Sequence, residues 1–143
     1  MQDSQPSPAV LHRQAVRVYW EDTDAGGVVF YANYLKFFER ARTEWLRSLG
    51  IQQGALREET GGMFVVSETA VRYLRPARLD DELVVSARLA GSGRAALTIA
   101  QDARLAAGGA VLAEGTIRIG WVEAATLRPA RIPAPILQAL QTP

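Results

Sequence analysis

The sequence predicts an α+β fold, in which a curved antiparallel β-sheet of about five strands wraps around one long central α-helix. Two observations carry this prediction. Residues 33–49 form a single long amphipathic stretch, and four strand-like runs follow it, joined by turns too short for a parallel crossover. One helix cannot cover both faces of a doubly wound sheet. The sheet must therefore fold around the helix and leave its outer face for another copy of the chain.

The elements follow in order. Residues 14–20 alternate, with Val16, Val18 and Trp20 on one face and Arg17 and Tyr19 on the other, the period of a half-buried strand. Residues 21–27 break that pattern with turn formers. Asn33 is placed to cap a helix whose apolar stripe is Tyr34, Leu35, Phe38, Ala41, Trp45, Leu46 and Leu49. Gly50 suits a left-handed helix end. Strands are expected over 64–74, 83–90, 95–105 and from Val111 to Trp121, with Gly91-Ser92-Gly93 and Gly108-Gly109 as hairpin turns. The division expected is a disordered tail over 1–12, one domain over 13–125, and a proline-rich tail over 126–143 with a possible short helix at 134–140.

Composition removes several classes of function. With 143 residues, 48% hydrophobic, the chain can build one sizeable core. A net charge of +1 gives no bulk attraction for nucleic acid. The absence of cysteine removes disulfides, thiolate metal ligands and a cysteine nucleophile. His12 is the only histidine and Lys36 the only lysine beside fifteen arginines, so histidine metal sites and lysine chemistry are hard to build. No metal and no cofactor are expected. No apolar run reaches a membrane span, and the first ten residues lack the basic start and apolar run of a signal peptide, so a cytoplasmic location is expected.

The chemistry concentrates in 21–27, where Glu21, Asp22 and Asp24 precede Gly26 and Gly27. Taken alone, each carboxylate reads as turn chemistry, because Asp bonds its own backbone readily. A calcium loop counted from Asp22 would need a glutamate at its twelfth position, where Asn33 stands. Glu39, on the helix beside Arg40 and Arg42, reads as one partner of an ion pair.

Tyr19-Trp20-Glu21-Asp22-Thr23-Asp24-Ala25-Gly26-Gly27-Val28-Val29, then Ala32-Asn33-Tyr34 and Glu39-Arg40-Ala41-Arg42, resemble a known family, and Pro76-Ala77-Arg78-Leu79-Asp80-Asp81 is a second match. The resemblance is to the hot-dog-fold acyl-CoA thioesterases of the 4-hydroxybenzoyl-CoA thioesterase type, closest to the branch associated with the Tol-Pal envelope system. It covers about 14–122, and because another branch of the same fold uses a helix glutamate as catalyst, it also implies Glu39 as the rival to Asp24. It implies Asp24 as nucleophile or general base, and the backbone N–H of Tyr31 as the donor that polarises the thioester carbonyl. It implies Arg94 at the nucleotide end of coenzyme A, and a homodimer or homotetramer. Many members of the branch carry histidine where this chain has Tyr31, but a backbone donor survives that change.

The residues suit such a reaction. A thioester needs only a base or nucleophile and a stabiliser for the developing oxyanion. The first N–H groups of a helix have no intrahelical partner and sit at the positive end of its dipole. Gly26 and Gly27 leave room for close backbone approach. The function expected is hydrolysis of an acyl-CoA to a carboxylate and free coenzyme A. The alternative is a non-catalytic acyl-CoA or acyl-carrier binding module on the same fold.

Overall fold

The computed structural model describes residues 11–141. Five strands, β1 (His12–Arg17), β2 (Gly62–Tyr73), β3 (Glu82–Ser92), β4 (Ala96–Leu105) and β5 (Val111–Glu123), form one sheet in the order β1-β3-β4-β5-β2. Each neighbouring pair is antiparallel. Three helices accompany them: α1 (Asn33–Ser48), α2 (Gln53–Thr60) and α3 (Ala134–Gln141).

Helix α1 buries Tyr34, Phe37, Phe38, Ala41, Trp45 and Leu46 against the inner sheet face. That face carries Leu83, Val85, Leu97, Ile99, Ile117 and Ile119, recurring at every second position as a pleated sheet requires. Gly115 admits the helix: a Cβ there would lie 3.3 Å from a Phe38 ring carbon and 3.1 Å from the Ala70 carbonyl. Helix α1 closes as expected at Gly50, whose φ is +83°. The N–H of Ile51 reaches back to Leu46 O and that of Gly50 to Arg47 O, the paired bonds of a Schellman ending.

Several local expectations are overturned. Trp20 is not on the buried face with Val16 and Val18. The strand stops at Arg17, a short 3-10 turn over Trp20–Asp22 follows, and the indole is 74% exposed. Leu35 faces outward and Phe37 takes its place in the core. Asn33 does not cap α1; it is the first helical residue, and its side-chain Nδ2 donates to Asp22 O at 2.8 Å. The strand begins at His12, inside the stretch expected to be a tail; residues 1–10 lie outside the described residues. Helix α2 has no counterpart among the expected elements, because Leu56 is its only residue packed on the core and it carries no apolar stripe.

The segment after β5 forms the short helix expected there, and it is joined to the core rather than trailing from it. Ile132, Ile136 and Leu140 are buried, Ala130 N donates to Trp121 O, and Ile132 N donates to Arg94 O. No described helix is long and apolar enough to cross a membrane.

Candidate active site

The acidic loop is a small hairpin of its own. Gly27 N donates to Asp24 O (3.0 Å) and Asp24 N to Val28 O (2.9 Å), while Thr23 bridges Val29. The turn requires a positive φ at Gly27, +79°. Gly26 is close to the carboxylate: its N–H donates to Asp24 Oδ1 at 2.8 Å, and a Cβ there would stand 3.3 Å from the same oxygen. Asp24 is exposed.

Asp22 has the opposite character. It is buried, its Oδ2 accepts the Tyr19 N–H at 2.8 Å, and its carbonyl accepts from Phe30 N and Asn33 Nδ2. Its bonds hold the loop and fasten it to the start of α1, a structural role as expected for it. One residue therefore ties the 3-10 turn, the hairpin and the first turn of α1 together.

The two sequence stretches that carried the resemblance meet here. Val28 bridges Arg78, Val29 N donates to Ala77 O (2.8 Å) and Leu79 N to Gly27 O (3.2 Å). The 78–81 turn is held by Asp81, whose Oδ2 accepts the Arg78 N–H, and by Val18, which exchanges bonds with Asp80 and Asp81. Residues 77–81 are the second wall of the loop, a role that only the long-range pairing reveals.

Tyr31 lies two residues before α1, and its side chain is exposed. Among the described residues its backbone N–H donates no hydrogen bond, whereas the N–H groups of Asn33, Tyr34 and Leu35 close turns onto Phe30, Tyr31 and Ala32. Around this free donor stands an aromatic group. The Tyr31 ring is 4.8 Å from Phe30 and 5.8 Å from Tyr73, and Tyr73 is 5.6 Å from Tyr34. The Tyr34 hydroxyl is buried beside the Ala77 backbone with no hydrogen-bond partner among the described residues. Burial pushes its pKa up, and Tyr73 and Asp81 add to this while the Ala77 backbone opposes it. Tyr73, which sequence patterning did not single out, owes its place to the alternation of β2.

Glu39 does not pair with an arginine in the described structure; its Oε2 accepts the Thr43 hydroxyl at 2.6 Å. Arg94 lies elsewhere, in the β3–β4 hairpin, where its carbonyl accepts from Ile132. The acidic loop packs at the start of β3 and Arg94 follows its end. Ten residue steps of strand separate the two, roughly 30 Å. A single chain therefore brings Asp24, Gly26, Gly27 and the Tyr31 segment together, and leaves Arg94 at the far end of the sheet.

A five-stranded antiparallel sheet wrapped on one long helix, with an acidic turn leading into the helix start, is the hot-dog fold. Residues 18–140 match the thioesterase-like superfamily, and the chain belongs to that family. It is similar to the acyl-CoA thioesterase YbgC of Haemophilus influenzae, 43% identical over 124 residues, covering 87% of this chain and 90% of the relative. Among solved structures, a probable thioesterase from Bartonella henselae is 31% identical with a TM-score of 0.81, covering 87% of this chain and all of the other. A 1,4-dihydroxy-2-naphthoyl-CoA thioesterase from Synechocystis superposes with a TM-score of 0.85 over 92% of this chain and 96% of its own, at 19% identity, which speaks to the fold.

Proposed function

We infer that the protein hydrolyses an acyl-CoA thioester to a carboxylate and free coenzyme A. The observation that carries this reading is the exposed Asp24 carboxylate, held in a tight turn a few residues before a helix start with an undonated N–H. The family membership and the similarity to an acyl-CoA thioesterase support it.

The Tyr31 N–H donates to the thioester oxygen and stabilises negative charge as it develops there. Asp24 either attacks the carbonyl carbon, expelling the thiolate and leaving a mixed anhydride for water to cleave, or takes a proton from the water that attacks. Gly26 and Gly27 let the substrate approach the backbone. The reaction consumes water and releases an acid and a thiol, using no group beyond these residues and the substrate.

Arg94 completes the site from a second copy. Strand β2 is a free edge of 12 residues with mostly exposed side chains after Val65, the kind of edge that natural proteins cover. Pairing two β2 strands antiparallel about a two-fold axis sets the end of β2 beside the start of its mate. The acidic loop lies at the end of the sheet where β2 finishes, and Arg94 at the end where β2 begins. The same operation therefore brings Asp24 of one copy toward Arg94 of the other, where the arginine can meet the phosphates of coenzyme A.

The test is a panel of acyl-CoAs with a free-thiol readout, run on wild type and Asp24→Asn. Asn keeps the acceptor for Gly26 but loses the base, so kcat should fall by about 100-fold or more with an unchanged circular dichroism spectrum. An Asp24→Asn enzyme as fast as wild type would sink the assignment. Saturable acyl-CoA binding by wild type without thiol release would show a binding module instead.

A further inference from the structure

Away from the acidic loop, α1 and the first half of β2, with Gln53 and Ile119, line a half-open cavity of about 220 Å³. One wall is apolar, from Leu46, Phe64, Val66 and Ile119. The other carries Arg42, half-buried on α1, with Glu39, Thr43 and Gln53. None of Asp24, Gly26, Gly27, Tyr31 and Arg94 lines this cavity.

Arg42 is held from behind. Its Nη1 donates to Gln101 Oε1 at 2.9 Å. Gln101 is the inward residue of β4 that breaks an otherwise apolar row, and it is only 3% exposed. Its Nε2 donates to Phe38 O (3.0 Å) and Ser86 O (3.1 Å), so the carboxamide cannot turn over and its oxygen must face Arg42. A guanidinium has five N–H donors, and among the described residues Arg42 uses one side chain, a neutral amide. It belongs to none of the ion pairs of the described residues. Glu39 acts on it only from a distance, and stands exposed at the rim with an oxygen committed to Thr43. Gln53 in turn donates to Thr43 at 3.4 Å.

A partly desolvated cation with a neutral partner is costly, and an anion that reaches its open edge recovers that cost. The planar fork of arginine matches a carboxylate through two parallel bonds. The cavity holds about seven water volumes and falls below the ~300 Å³ at which drug-sized ligand sites begin. A carboxylate on a stem of roughly four to six carbons fills that space.

The geometry points to a binding site for a short aliphatic carboxylate, its head on the open edge of Arg42 and its stem along Leu46, Phe64, Val66 and Ile119. Two sources share this chemistry. One is the free acid, the kind of product that thioester hydrolysis releases. The other is the distal carboxylate of an acyl group still attached to its thiol.

Calorimetry on the full chain separates carboxylate recognition from simple apolar filling. Hexanoate should bind at least tenfold more tightly than hexanamide, and Arg42→Gln should abolish the difference. In wild type, hexanoate should slow phenylglyoxal modification of Arg42 and not of exposed Arg57, which decides the matter even if Arg42→Gln does not fold. For the second source, adipyl-CoA is compared with hexanoyl-CoA: a preference for adipyl-CoA in wild type, lost in Arg42→Gln, assigns the site to the attached acyl group. Hexanoate no tighter than hexanamide, together with no preference for adipyl-CoA, overturns the proposal. Failure of both thioesters to be cleaved counts against the proposed hydrolysis, and the calorimetric comparison then stands alone.

Discussion

At the scale of single residues, Gly26 and Gly27 are neighbours with different physics. Gly27 sits at φ +79° with open space where a Cβ would go, so Gly27→Ala meets backbone strain alone. It should lower stability by about 1 kcal/mol or more, read as a shift in the urea midpoint. Gly26 has no such φ, but its Cβ would press on Asp24 Oδ1 at 3.3 Å. Gly26→Ala should leave the midpoint nearly unchanged and reduce kcat, because the carboxylate must move. Tyr34 gives a pH prediction of definite sign. Among the described residues its buried hydroxyl has only the Ala77 backbone beside it and no well-formed hydrogen bond, and burial raises its pKa above the ordinary value near 10. The folded state thus resists ionisation. Its advantage is complete below pH ~10 and is lost as pH rises through the folded pKa. Tyr34→Phe removes the orphan hydroxyl and should raise stability by about 1 kcal/mol at pH 8. The mutant should also lose less stability than wild type between pH 8 and pH 11. A wild type no more alkali-sensitive than the mutant would contradict this.

At the scale of elements, legibility followed the range of the forces involved. Helix α1 was readable because a stripe of apolar residues at spacings of three and four encodes its own buried face, and Gly50 encodes its end. The tight turn at Gly108-Gly109 was readable for the same local reason. The turn expected at Gly91-Ser92-Gly93 falls later, because β3 keeps pairing with β4 through Ser92 and the hairpin closes between Gly93 and Ala96. Trp20 was misplaced because strand alternation continues in the sequence past the point where β1 stops pairing with β3 at Arg17. Helix α2 escaped notice because Gly54 lies inside it and Leu56 alone anchors it. In the site, three carboxylates beside two glycines were visible at once, but the Val28–Arg78 bridge was not, since fifty residues separate the partners. Gln101 carries no sequence signal of its own, and only its bonds to Phe38, Ser86 and Arg42 give it meaning. One element-level contact is tight enough to test. A Cβ on Gly62, at the start of β2, would fall 2.4 Å from the Trp121 ring. Gly62→Ala should cost about 1–3 kcal/mol by overpacking, measured by urea unfolding.

At the scale of the molecule, the decisive question is whether a site needs two chains. Along one chain, Asp24 and Arg94 stand at opposite ends of β3, roughly 30 Å apart. If both serve one substrate, they come from different copies. This separates the two-chain site from ordinary association, because it predicts complementation. Asp24→Asn alone should lose catalysis, and Arg94→Ala alone should raise KM for acyl-CoA while sparing a truncated thioester that lacks the nucleotide. When the two variants are unfolded together and refolded as a mixture, about half of the dimers are hybrids. In each hybrid, one site takes Asp24 from the first chain and Arg94 from the second, and both are intact. The other site carries both lesions. At acyl-CoA concentrations where neither parent turns over well, the mixture should recover about a quarter of wild-type activity. A site built within one chain gives no intact combination in any hybrid, so the mixture would show only the average of its parents. The same mixture assayed with the truncated thioester should show no recovery beyond that average, since Arg94 then has nothing to hold.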